Sequence, residues 1–480
     1  MQSILFYIRD ILTRIFSKQA STSYFNVSSI DSLISEEMEK HFILTENLYE
    51  NNTEYIDWLR SGQVKSLRLP SVLSREVTRT VCSEAKIYVD GTSERAKYLN
   101  EQLKIFMRKF PVYVEQAIAF GNMAFKPYIS GDNILASAVR IGDFIPVKVD
   151  GQGVFTSCIF AEKLRRDDGW YTRIEYHHSE NGTYTVENSA YRSGSKGGGL
   201  GTQVALSSVP EWKDYQNVVT ISGSDLSPLY AVYSNPFANS IDVDSPLGVS
   251  LYADSIDLIR EADELWEETT YEMKSGERKV FGANGIFKMS NGIDYTMSRF
   301  YKQVNFENDR ALQEFSPALR NDSMSARLQD IFKRIEQNAG LSFGIISDPQ
   351  SVDKTATEVI HSKRRYHETI ESIQTALTGS IEQLVSAMSR ICDLYGIVPS
   401  GEYSVVCDWD DSVLESKDEK RALAMQEYQM GLIDEAEYFM ETRGYSKDEA
   451  MKLASEIRSR SQAQQAQQAG RDWFKDREGA

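Results

Sequence analysis

The sequence predicts an α+β fold, mainly helical, with a β-rich region in its first half and a small β excursion between two later helices. Three observations carry this. Tyr366, Ile370, Ile373, Leu377, Ile381, Leu384, Met388, Ile391 and Tyr395 recur at threes and fours, the mark of one apolar helical face. Helical from Lys354 to Tyr395, the element would be about 60 Å long at 1.5 Å per residue. Between Ala124 and Thr220 the texture changes to alternation, as in Ile145–Val149 and Tyr171–Tyr176, broken by Asp150-Gly151, Asp168-Gly169 and Asn181-Gly182. Finally, Lys279-Val280-Phe281 and Tyr301–Val304 read as short strands between two amphipathic helices.

The elements follow in order. In the N-terminal QSILFYIRDILTRIFSK, Leu5, Ile8, Leu12 and Ile15 share a helical face, while Arg9, Asp10 and Arg14 interrupt the apolar run. Without a small-residue cleavage site this is expected to be an amphipathic segment packing on protein, not a signal peptide; docking on a membrane surface is the competing reading. Residues 29–62 read as mostly helical and acidic. Val72, Val77 and Val81 lie in a predicted helix, and Ile87-Tyr88-Val89 in a strand. Residues 94–120 read as helical despite Pro111, with Leu99, Leu103, Phe106, Phe110, Val114 and Ala117 as a buried stripe.

Inside the β-rich region, Arg192–Gly201 (RSGSKGGGLG) fits neither G-x-G-x-x-G nor G-x4-G-K-[ST] and is expected to be a flexible hairpin tip. After Ser234-Asn235-Pro236-Phe237, Ser245 reads as an N-cap with Pro246 at the first helical position. The helix opened there has Leu251, Leu258, Leu265 and Glu272 at sevens, with Asp254, Asp257, Glu261, Asp263, Glu264, Glu267 and Glu268 on its other faces. Those acids are either a solvated face or the lining of an acidic channel. Past the β excursion at 277–320, Asp322 or Ser323 is expected to cap a second helix, buried through Met324, Leu328, Ile331, Phe332 and Ile335. A segment holding Gly344, Asp348 and Pro349 then leads to Lys354-Thr355-Ala356-Thr357-Glu358, where Thr355 and Glu358 have the form of a capping box. Glu402–Trp409 reads as a strand ending in an acidic cluster. Helices are expected near 415–430, 434–443 and 446–460, before a Gln/Ala-rich tail of disordered composition.

Bulk properties exclude several classes. At 480 residues, 41% hydrophobic and 26% charged, the composition is that of a soluble protein of roughly two to four domains. No apolar run reaches the length of a transmembrane helix. Cys82, Cys158, Cys392 and Cys407 form no C-x-x-C pair and are expected to be reduced thiols. A net charge of −17 without a Lys/Arg stripe argues against tight phosphate binding. It is compatible with an acidic wall past which DNA slides.

Nor do the residues assemble a catalytic, cofactor or metal set. His177 and His178 adjoin in a strand and so point to opposite faces. His361 and His367, six apart on a helix, cannot share a metal from one face. No H-E-x-x-H, G-x-S-x-G or His/Cys ligand spacing occurs. The carboxylates at 408–411 and 415–419 are a candidate cation site, but a solvated surface or subunit contact is the expected role.

The stretch Ala339–Tyr366 (AGLSFGIISDPQSVDKTATEVIHSKRRY) resembles the portal proteins of tailed bacteriophages, those of long-tailed phages in particular. A Gly-Leu-Ser turn, a short loop and Lys-Thr-Ala-Thr-Glu-Val opening a long helix carry the resemblance. It extends over roughly 40–460 and is most specific at 246–281 and 339–378. It implies a ring of about twelve copies at a capsid vertex, through which DNA passes. It also implies roles in procapsid assembly, packaging, head–tail connection and genome ejection, without enzymatic activity.

By the resemblance, 31–245 is a wing, helical then β-rich, following the N-terminal segment 1–30. Stem helices occupy 246–276 and 322–341, with a clip at 277–321 between them and a tunnel loop at 342–354 after them. Residues 354–410 form the long wing helix and a strand, 411–462 crown helices, and 463–480 the tail. Ser347, Asp348, Gln350, Asp353 and Lys354 would be the loop residues nearest DNA. Arg278, Lys279, Arg299 and Lys302 would be clip residues facing a motor or adaptor, and Asp257, Glu261, Glu264 and Glu268 candidates for the channel side of the stem. The implied partners are further copies of the chain, a terminase large subunit, a head-completion adaptor, scaffold and major capsid proteins, and double-stranded DNA held non-specifically; no membrane partner is implied. The implied location is the virion, after assembly in the host cytoplasm. Two other classes stay open: another oligomeric connector or tail component, and a carboxylate-dependent hydrolase built on the β region.

Overall fold

In a computed structural model, the described residues are 33–83, 85–131, 133–180, 182–194, 200–223, 225–277, 279–282, 301–303, 312–349 and 356–409, with 424–425, 428–430, 433–443, 445, 447, 450–455 and 457 beyond them. The N-terminal segment 1–30, the capping-box residue Thr355 and the tail 463–480 lie outside the described residues. The chain divides into two compact units, Met1–Asp408 and Trp409–Ala480.

In the first unit, helix α1 (Glu36–Glu50) opens at Ser35, whose Oγ accepts from Met38 N at 3.3 Å. It ends at Asn51 in the left-handed region and buries Met38, Phe42 and Leu48. Helix α2 (Leu69–Cys82) and strand β1 (Lys86–Asp90) follow as expected. The helical stretch 94–120 is two helices, α3 (Glu94–Met107) and α4 (Phe110–Phe120). Pro111 has no N–H and cannot continue a helix through it, but it fits the first turn of a new one. All six residues of the predicted stripe are buried across the break.

Strands β2 (Asn122–Ser130), β3 (Asn133–Arg140) and β10 (Ala231–Ser234) form one antiparallel sheet, in the order β10-β2-β3. Strands β4 (Phe144–Val149), β5 (Phe155–Arg166), β6 (Gly169–Glu180), β7 (Thr183–Ser193) and β8 (Thr202–Val204) form a second, with β9 (Val218–Ser222) pairing β7 as well. Its register pairs Arg166 with Gly169 and Glu180 with Thr183. A core of Phe144, Ile145, Phe160, Ile174 and Tyr230 joins the sheets to Met38 and Phe42 of α1.

The expected helix start at Ser245 is not observed. Residues 246–252 run as an irregular segment, buried from Leu247 onward, to a short 3-10 turn at Ala253–Ser255, and helix α5 begins at Ile256 and ends at Ser275. Its backbone is spent elsewhere. Asn122 brackets Gly248, accepting from its N–H at 3.0 Å and donating to its carbonyl at 2.7 Å. Asn235 Nδ2 donates to Val249 O at 2.7 Å, and Leu251 N to Ile118 O at 3.2 Å. Leu251 is therefore a core residue outside the helix, and the positions α5 buries are Ile259, Ala262 and Asp263.

Strands β11 (Lys279–Gly282), β12 (Tyr301–Gln303) and β13 (Leu312–Phe315) make a small sheet with β11 central, parallel to β12 and antiparallel to β13. Helix α6 spans Asn321–Asn338. The residue before it is Arg320, which makes no side-chain cap, so neither Asp322 nor Ser323 holds that position.

Helix α7 (Ala356–Tyr395) is 40 residues long. Ile370, Ile373, Leu377, Ile381, Leu384 and Met388 are fully buried, and at about 1.5–3 kcal/mol each their burial holds the helix in place. Tyr395 departs from the stripe: it lies in the last turn and is 68% exposed, where the chain reverses at Gly396. Strand β14 (Ser404–Asp408) pairs antiparallel with β1. Arg95, 1% exposed on α3, ties this region together. Its guanidinium donates to Ser389 O, Ser389 Oγ, Val398 O, Pro399 O and Asp393 Oδ1 at 2.6–3.2 Å.

In the second unit helix α8 (Glu435–Arg443) packs Phe439 with Ala436, Ala450 and Ala454. All four cysteines are free, with Cys158 and Cys392 buried.

Candidate functional site

Helices α5 and α6 lie antiparallel. Asn338 reaches Asp254, Arg327 reaches Glu261, and Arg320 reaches Glu272. Asp257, Glu261, Glu264 and Glu268 recur at fours and threes, so they share one helical face. Two are engaged: Glu261 accepts from Arg327 at 2.6 Å, and Glu264 from Arg260 at 2.8 Å. Asp257 and Glu268 are exposed. The exposed pairs stabilise little, but they neutralise the middle of the acidic stripe. Asp263 is not on a solvated face at all. It is 1% exposed and accepts from Trp58 Nε1 at 3.0 Å and Leu67 N at 2.7 Å, while burial pushes its carboxyl above the usual range.

At the far end of this hairpin, Arg320 grips Glu272 through two nitrogens, at 3.2 and 2.9 Å, just where the chain enters and leaves the β11–β13 excursion. Lys279 sits half-buried on β11, and Lys302 belongs to β12. Arg278 and Arg299 lie outside the described residues.

The loop after α6 is organised by a residue that the sequence reading did not single out. Glu336 is 0% exposed. Its Oε1 accepts from the amides of Gly344, Ile346 and Ser347 at 3.1, 2.7 and 3.0 Å, and its Oε2 from Ser347 Oγ at 2.8 Å. Gln329, seven residues earlier on the same helix, accepts from Asp348 N at 2.7 Å. Ser347 is thereby buried, whereas Asp348 is exposed. Gln350, Asp353 and Lys354 lie outside the described residues. The available signal for Glu336 was weak: a carboxylate in the last turn of a helix is mildly disfavoured by the macrodipole.

A second concentration of charge lies in the β-rich region, beside a cavity of about 320 Å³ lined by Lys126, Ser137, Phe160, Glu162 and Arg173. Glu175 Oε2 meets Lys126 Nζ at 2.5 Å and Arg173 Nη1 at 2.6 Å, and its Oε1 meets His177 Nε2 at 2.7 Å. Burial would raise the Glu175 pKa, but Lys126, His177 and Arg173 together hold it well below the usual range. Burial keeps the His177 ring neutral, and ionised Glu175 can only accept from Nε2, so Nδ1 accepts the Tyr184 hydroxyl proton at 2.8 Å. This leaves the neutral imidazole with its proton on Nε2, facing Glu175. Arg173 also donates to Glu162 at 2.8 Å and lies 4.2 Å above the Tyr215 ring. Both oxygens of Glu175 are engaged and the group is held ionised, so it is a poor general acid. The alternation Arg173, Glu175, His177 on one strand face was the available sign of a polar interior.

His177 and His178 do point apart. His178 stacks on Tyr176 and contacts Glu187. Among the described residues no three His, Cys, Asp or Glu side chains converge as a metal site, and no helix is long and apolar enough to cross a membrane.

No family model and no curated protein matches the sequence. Among solved structures, the chain is similar to one in the neck of a native GTA particle computed with C12 symmetry. The two are 11% identical, the match covers 81% of this chain and 92% of that one, and the TM-score is 0.37.

Proposed function

We propose that this chain is the subunit of a phage portal, a ring-forming conduit for DNA at a capsid vertex. The observation that carries the reading is the order of elements: an antiparallel helix pair closed around a small sheet, then an anchored loop, then a helix of 40 residues. In this reading α5 and α6 are the stem, 277–321 the clip, 342–354 the loop nearest DNA, and α7 the spine of the wing. The chain acts without catalysis, and ATP hydrolysis belongs to a separate motor that engages the clip. A closed ring needs two unlike complementary faces on each copy, which long helices with opposed apolar and charged sides supply. The exposed Asp257 and Glu268 give the stem an acidic side that repels passing phosphates.

Electron microscopy of the purified protein, with native mass on the same sample, tests the proposal. Rings of about twelve subunits, with a hole wide enough for a duplex, are the expected result. A compact monomer or dimer that persists beside scaffold and capsid proteins would overturn it.

A further inference from the structure

Glu336 does more than end a helix. The turn Gly344–Asp348 makes few of the main-chain bonds that hold a regular element, and its amides need acceptors. Four of them are met by two side chains of α6: Gly344, Ile346 and Ser347 by Glu336, and Asp348 by Gln329. Gly344 takes up a positive φ of 93°, and its N–H also lies 3.1 Å from Ser347 Oγ, which closes the turn on itself. The contact with α7 is of another kind. There Gly340, at φ +68°, meets Thr369, whose Oγ1 donates to the Gly340 carbonyl at 3.1 Å while also facing Arg365 O at 3.0 Å. At Gly340 the bond to α7 is thus one shared hydroxyl proton, while the turn itself is bound to α6 through a buried carboxylate.

We infer that Glu336 is a positioning residue that locks the turn Gly344–Asp348 onto helix α6, so that the turn moves with the α5–α6 hairpin. Resting on the portal reading, this makes the stem the carrier of the loop beside DNA, and a displacement at the clip end of the hairpin is delivered to the loop through α6.

Hydrogen exchange on the full chain tests the lock directly. In Glu336→Ala the peptide spanning 341–349 should exchange about ten- to hundredfold faster, with the peptide over Arg327–Ile331 unchanged. Glu336→Gln keeps an acceptor oxygen for the three amides and should retain most of the protection. Ser347→Ala removes one donor and should fall between, which keeps the test valid if Glu336→Ala does not fold. Unchanged exchange over 341–349 in both Glu336→Ala and Ser347→Ala would overturn the lock. DNA packaging into procapsids tests its use: rings of Glu336→Ala should assemble and package poorly, with Glu336→Gln restoring packaging. Normal packaging by a variant whose loop exchanges fast overturns the link to passage. Failure of the wild-type chain to form rings overturns the portal reading alone, since the exchange experiment judges the lock without it.

Discussion

Gly121 and Gly248 meet backbone to backbone: a Cβ on Gly121 would stand 2.6 Å from the Gly248 carbonyl oxygen, and one on Gly248 would stand 2.5 Å from that of Gly121. No side chain fits between the end of α4 and the segment that approaches α5. Gly121 also holds φ at +84°, a value that other residues adopt at a cost. Gly248→Ala should therefore lose about 2–3 kcal/mol of unfolding free energy, and Gly121→Ala somewhat more. Urea unfolding at neutral pH measures both. Alanine variants as stable as the parent would show that the segment can shift away.

The Arg95 guanidinium separates hydrogen bonding from charge. Its salt-bridge partner Asp393 has a side chain 56% exposed, while the carbonyls it satisfies belong to the end of α7 and the turn after it. Asp393→Asn should cost under about 1 kcal/mol, since solvent screens that pair. Arg95→Ala should cost about 3 kcal/mol by removing a buried guanidinium and its bonds to the buried Ser389 and the part-buried carbonyls of Val398 and Pro399. Paired urea titrations decide, and equal losses in the two variants would assign the effect to the ion pair instead.

His41 makes stability depend on pH. Burial carries its pKa from 6.5 down to about 4, against a weaker pull upward from Asp254, and its Nε2 accepts from Ser250 N at 3.4 Å. The unfolded chain takes up this proton near pH 6.5, but the folded protein only near 4. Stability from the neutral imidazole is complete above 6.5 and is lost as the pH falls to 4, by about 3 kcal/mol in all. In His41→Gln the slope of unfolding free energy against pH should drop by one proton across that window. An unchanged slope would mean that the imidazole is not shielded from water.

The acidic side of α5 gives a prediction about passage. Asp257→Lys and Glu268→Lys alter exposed residues that no described salt bridge engages, so assembly should be unaffected. If these positions face DNA, the double variant should package more slowly, and the defect should lessen as salt screens the added charge. Wild-type packaging rates at low salt would place that face away from the duplex.

Deleting 345–352 separates a portal from other connectors. Rings should still form, and DNA packaging should fail. Unimpaired packaging by the shortened protein would favour a connector or tail component.

The legible parts of this fold are those where a local period reports burial. The α7 stripe from Tyr366 to Ile391 and the hairpins around Asp168-Gly169 and Asn181-Gly182 read correctly because neighbours in sequence decide them. Ser245-Pro246 carries an equally good local signal for a helix start and misleads. Asn122 and Asn235, the former over 100 residues away, claim that backbone first, and no local pattern records them. Asp263 was invisible for the same reason: only Trp58 and Leu67 distinguish it from its solvated neighbours. Helix α5 was thus placed correctly as an element but misjudged in its start and in which acids it hides.

The Glu272–Arg320 grip has an evolutionary corollary. Strand β11 enters the excursion and β13 leaves it, and they are antiparallel neighbours, with Lys279 opposite Phe315. The two ends of this insert therefore sit side by side on the hairpin, fastened by a pair that belongs to the helices and not to the insert. Whatever lies beyond the fastening can be lengthened, shortened or exchanged as a cassette while α5 and α6 keep their own partners. Recombination at this neck would let one body exchange its excursion without refolding the rest.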